Sequence, residues 1–130
     1  MLWSGRQKPV EVWDEPIQWP IGDIEAADKI RTICRSAADS AERVARLAAA
    51  RTKSEEKTHK FESGRYERAA KVAMEIALKV SDDLMRDAAV RDIVDLCLKA
   101  NDMKTARILF RAIQAPSIRD VVLGDHPDLR

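Results

Sequence analysis

Cysteine, glycine and aromatic residues are all scarce in this chain of 130 residues, and each shortage removes a class of protein. The two cysteines, Cys34 and Cys97, have no second cysteine at redox or metal-ligand spacing, which predicts two reduced thiols in a core. The four glycines, Gly5, Gly22, Gly64 and Gly124, stand alone and form no loop that cradles phosphate. With aromatics at 5%, a sheet protein is disfavoured. A membrane helix needs ~20 consecutive apolar residues. No run approaches that, and even Val44 to Ala50 holds Arg46 and is closed by Arg51. No apolar h-region follows Met1, so the sequence predicts a soluble, cytoplasmic protein without a secretory leader. Charge of one sign is missing too. The balance of 23 Lys and Arg against 22 Asp and Glu gives no global attraction for nucleic acid or an anionic membrane.

Alanine and helical periodicity are what the chain has in quantity. Hydrophobic residues are 45% and charged residues 35%, enough for both a core and a solvated surface, so generic disorder is excluded. The fold class is read as all-α, in one helical domain over residues 23–124 with an arm before it (1–22) and a polar tail after it (125–130). The arm holds Pro9, Pro16 and Pro20, all three tryptophans (Trp3, Trp13 and Trp19) and the acidic Glu11, Asp14 and Glu15. Each proline pushes its predecessor toward extended geometry, so an extended segment is expected. Tryptophan is costly to leave in water, so the arm should lie in a groove, on its own body or on another protein.

Helical signals start after Gly22, with Asp23 placed to cap the first turn. Ile30, Cys34, Ala37, Ala41, Val44 and Ala48 recur at spacings of 4 and 3, extended backward by Ile24 and Ala27, which predicts a helix over about 24–50. Whether residues 24–62 form one helix or two stays open, with a stop or weakening placed near 51–55. Tyr66, Ala69, Ala73, Ile76 and Val80 predict a helix over 65–80; Leu84, Ile93, Leu96 and Cys97 one over 84–100, opened by Ser81-Asp82-Asp83 and closed by Asn101. Asp102 should cap a helix over 103–114, broken by Ala115-Pro116, before a short one over 117–123.

Two of these hairpins overlay at an offset of 33 residues: Ala73-Met74-Glu75-Ile76 through Arg86-Asp87, and Ala106-Arg107-Ile108-Leu109 through Arg119-Asp120. The paired Arg86-Asp87 and Arg119-Asp120 read as ion pairs bridging adjacent helices. The run Gly64-Arg65-Tyr66-Glu67-Arg68-Ala69, followed by Ala73, Ile76 and Ala77, resembles the tetratricopeptide (TPR) family over residues 64–123. That resemblance implies helical hairpins stacked as a short TPR-like solenoid, with a groove that binds a peptide or partner helix and performs no catalysis. The alternative from periodicity alone is an irregular bundle.

Candidate chemistry is thin. Glu55, Glu56, His59 and Glu62 place ligand types on one helix face, but the second half of a di-iron or zinc set is missing. No serine sits at an oxyanion-type glycine turn. The expectation is therefore no catalytic residue, metal or cofactor, and a protein–protein interaction module, an accessory or assembly subunit. Its partner would be another protein or a second copy in a homodimer. Trp3, Trp13, Trp19, Tyr66 and Phe110 are the expected partner contacts. The alternative is a nucleic-acid-binding or regulatory helical protein that uses the basic stretch Arg43, Arg46, Arg51, Lys53, Lys57, Lys60, Arg65, Arg68 and Lys71.

Overall fold

The computed structural model describes residues 10–130; Trp3, one of the expected anchors, lies outside them. Five helices follow one another: α1 (Asp23–Arg46), α2 (Lys53–Ala77), α3 (Asp83–Lys99), α4 (Met103–Ala112) and α5 (Pro116–Asp125). Short 3-10 turns stand at Val12–Asp14 and Pro127–Leu129, and no strand occurs among the described residues. The fold is all-α. No helix among the described residues is long and apolar enough to cross a membrane.

The first two helices differ from the sequence expectation. α1 ends at Arg46, and α2 starts at Lys53, twelve residues before the expected 65. The cause is a reciprocal cap: the Thr52 hydroxyl accepts from the Glu55 amide, and the Glu55 carboxylate accepts from the Thr52 amide. Gly64 is thus mid-helix, not a boundary. Asp23 does not cap its own helix. Its carboxylate reaches across to the turn before α3, accepting from the amides of Ser81 and Asp82 at 2.9 Å each, and so ties the start of α1 to the start of α3.

Later boundaries follow local chemistry. Asp82 caps α3 through the Met85 amide. Asn101 takes the left-handed φ of 57° that lets the chain turn between α3 and α4, and Asp102 caps α4 through the Thr105 amide. Pro116 occupies the first turn of α5. The two Arg-Asp pairs do not act alike. Arg86 pairs with Asp83 inside α3, whereas buried Asp87 accepts the Gln114 and Ala115 amides of the α4–α5 turn. Arg119 donates to the carbonyls of Phe110 and Ile113 and lies over the Phe110 ring, its guanidinium carbon 4.4 Å from the centroid.

The core is alanine-rich. Ala26, Ala37 and Ala41 on α1 and Ala69, Ala73 and Ala77 on α2 are buried, which lets the two helices approach closely, antiparallel. Ile30, Ile76, Ile93, Leu96 and Ile113 fill the space between layers. α1 also packs along α3, and α4 closes on the other side of α3. Because α1 opposes α2 and α2 leads back into α3, α1 and α3 run parallel. This places their N-termini and the end of α2 together.

Candidate interaction surface

The described part of the arm, residues 10–22, is docked on its own helices. Trp13 is buried, 3% exposed, where the first 3-10 turn meets α1 and α2. Arg65 on α2 holds it from outside: its guanidinium donates to both Glu11 carboxylate oxygens, at 3.1 and 3.0 Å, and its carbon lies 5.4 Å from the Trp13 centroid. Behind Arg65 is a buried carboxylate, Glu62. It accepts from Ser40 at 2.8 Å, Arg43 at 2.9 Å and Arg65 at 3.2 Å, while Arg65 also donates to the Ser40 hydroxyl at 2.8 Å. Burial opposes the charge on Glu62, but these donors together outweigh it and hold the carboxyl below its ordinary 4.5. The bonds that Arg65 donates to the Glu11 carboxylate raise its pKa above the usual value. The indole N–H of Trp13 finds no acceptor among the described residues.

Hollows lie between the described elements in three places. The cleft under the arm, about 250 Å³, is lined by Val12, Trp13 and Ile17 of the arm with Ile33, Val72 and Ile76. A second, about 230 Å³, separates α2 from α4 between Tyr66, Ala70, Met74 and Leu109. The third is a groove along the outer seam of α1 and α3, made of two adjoining hollows of about 190 and 260 Å³ that share Arg31 and Asp92. Its walls are in step: Ile24 with Met85, Ala27 with Ala88, Arg31 with Asp92, and Ala38 with Lys99 all differ by 61 in number. From residue 24 to 38 it runs about 21 Å at 1.5 Å per residue.

That groove has two ends of different character. At the helix N-termini it is apolar and open: Ile24 is 74% exposed and Leu84, just outside it, 59%. Further along, the α1 wall carries Arg31 and Arg35 and the α3 wall Asp92 and Asp95, followed by Lys99. Arg31 pairs with Asp28 of its own helix, and Asp95 approaches His126 at 3.4 Å. Asp92 and Arg35 form no ion pair among the described residues. Burial, with Asp95 beside it, pushes the Asp92 carboxyl up despite Arg31, Arg91 and Arg35. Cys34 lies on the α1 wall, pushed up to about 12 by burial and then by Asp92; Cys97, fully buried, goes to about 11, also by burial. Both thiols are protonated and inert at neutral pH.

The expected contact residues are scattered by this arrangement. Trp13, Tyr66 and Phe110 are core, and among the described residues only Trp19 of that set, 46% exposed, offers a free face. Tyr66 donates to Asp102 at 2.7 Å, and burial raises its hydroxyl well above the ordinary value. The basic stretch also divides. Arg43 and Arg65 are committed to Glu62, while Arg46, Arg51, Lys53, Lys57 and Lys60 stand exposed around the tip of the α1–α2 hairpin and Arg68 and Lys71 further along α2. Around His59 the carboxylates serve elsewhere, Glu55 in the helix cap and Glu62 in the buried node. No group of three His, Cys, Asp or Glu side chains that could hold a metal occurs among the described residues.

Ser40, Glu62 and the Asp92/Asp95 wall were not anticipated as a set. A signal existed for the first two: Ser40 continues the buried spacing Ala26, Ile30, Ile33, Ala37, and Glu62 continues Tyr66, Ala69, Ala73, Ile76 one step back. A polar residue at a core position of a helical stripe marks a buried hydrogen-bonded site. No family model, curated protein or solved structure matches the chain.

Proposed function

We propose that this protein is a non-catalytic protein–protein interaction module whose recognition surface is the α1/α3 groove. The observation that supports it most is the pairing of an apolar mouth, Ile24, Ala27, Met85 and Ala88, with unpaired charge further along the same seam. Scattered exposed apolar residues are ordinary; apolar residues gathered in one groove are what an interface uses. An assembly role is a further part of the proposal.

Ala88→Arg places a charge in the apolar mouth without touching the core. Partner capture by the wild type and by Met74→Arg, which alters the α2/α4 hollow instead, should be alike, whereas Ala88→Arg should lose the partner. Binding that survives Ala88→Arg and disappears in Met74→Arg would move the surface to the α2/α4 side and defeat the proposal. A second reading rests on the exposed Arg46, Arg51, Lys53, Lys57 and Lys60 at the hairpin tip: a polyanion would bind there with affinity falling steeply as salt rises.

A further inference from the structure

We propose that the occupant of the α1/α3 groove is a second copy of this chain, related by a two-fold axis running along the groove. This rests on the groove being the recognition surface. Two arrangements bring a pair of such faces together about a two-fold axis lying along or across the seam. With the axis across the seam at Arg31, α1 lies antiparallel over α1 of the other copy, so Arg31 meets its own equivalent, Asp92 meets Asp92, and the apolar mouth meets the charged end. With the axis along the seam, α1 lies over α3 of the other copy and the two run parallel. Ile24 and Ala27 then face Met85 and Ala88 of the second copy, and Arg31 and Arg35 face its Asp92 and Asp95.

Two separate patterns select the same axis. One is the sign of the walls in the middle of the groove, where α1 carries Arg31 and Arg35 and α3 carries Asp92 and Asp95, with Lys99 only at its far end. The other is the order along the groove, apolar at the helix N-termini and charged beyond. An isologous contact must be self-complementary, residue against residue, and over the full length of the groove only the second arrangement makes it so. The constant step of 61 between the walls keeps each layer level with its counterpart, so the match holds over the whole seam. It also gives the Asp92 carboxylate, which has no ion pair among the described residues, a guanidinium across the interface.

The test uses two full-length variants with matched folding, checked by helical circular dichroism. In one, Asp92→Arg and Asp95→Arg make both walls basic; in the other, Arg31→Asp and Arg35→Asp make both acidic. Sedimentation of the wild type should show a concentration-dependent dimer that weakens with salt. Each variant alone should lose self-association by at least about tenfold, the size of effect expected when like charges are opposed. Mixed, the two should form a one-to-one heterodimer. A wild type that stays monomeric at every concentration, or variants that fold but fail to associate on mixing, overturns the two-fold pairing. If the monomeric wild type still captures another protein and Ala88→Arg abolishes that capture, the groove remains the recognition surface and only its occupant has been misassigned.

Discussion

Glu62 and Trp13 carry most of the residue-level specificity, and both come from positions where polarity and burial conflict. Ser40→Ala removes one donor to a buried carboxylate, a change expected to cost roughly 1.5–3 kcal/mol in a denaturant melt. The pH dependence has a definite sign. Glu62 has a folded pKa below its ordinary 4.5, so its stabilisation is present above that value and fades as pH falls through the folded pKa. The stability gap between wild type and Glu62→Gln should therefore narrow between neutral pH and pH 3. A constant gap would place the effect in packing instead of charge. For Trp13, Ala should cost roughly 3 kcal/mol, whereas Phe keeps the ring contact and removes the unpartnered N–H, so it should stay within about 1 kcal/mol of wild type. Equal losses in both variants, in thermal unfolding, would show that the indole nitrogen has an acceptor after all. That Trp13 is a core residue was not legible from its tryptophan-rich segment, because an apolar side chain between prolines serves an intramolecular groove and a partner's pocket equally well.

Among the elements, α3, α4 and α5 were legible from their punctuation, whereas the start of α2 was not, although Thr52 and Glu55 mark it with a capping box. Asp82, Asn101, Asp102 and Pro116 each supply a cap or a break by their own chemistry, and α3, α4 and α5 start within one residue of expectation. α2 is the counter-example, since Gly64 invites a boundary that the helix does not observe. Its cost there is real, and a Cβ at this position would meet only the end of the Arg68 side chain at 3.7 Å. Gly64→Ala should accordingly raise stability by about 0.5–1 kcal/mol, read as a higher melting temperature. Destabilisation would contradict a helical Gly64. α1 shows a different limit. The residues Ile30, Ala37, Ala41 and Val44 do face inward, but Ile24, Ala27 and Cys34 lie on the wall of the open groove. Alanine marks both faces of this helix, so periodicity alone fuses two stripes into one.

At the scale of the whole molecule, the class was legible from composition and spacing, while the arrangement of helices around α1 was not. Nothing in the sequence says that α1 lies along α3 with residues 61 apart in register; that follows from α2 being long enough to return the chain beside its starting point and from Asp23 joining the two N-termini. The described part of the arm consequently covers one side of the α1–α2 pair, and among the described residues the opposite seam of α1 stays open. A consequence of the two-fold pairing is that association should depend on the groove and be indifferent to the hairpin tip: Lys57→Glu with Lys60→Glu should leave the sedimentation profile unchanged.

Methionine provides the most direct measurement of that claim, because Met85 lines the apolar mouth of the groove and Met74 lines the hollow between α2 and α4. Both are half-buried in the single chain. Brief peroxide oxidation, quantified by peptide mass for the two sites at rising protein concentration, should show Met85 becoming protected while Met74 keeps a constant rate. Equal behaviour of the two methionines, or protection confined to Met74, would contradict the assignment of the α1/α3 groove as the contact surface.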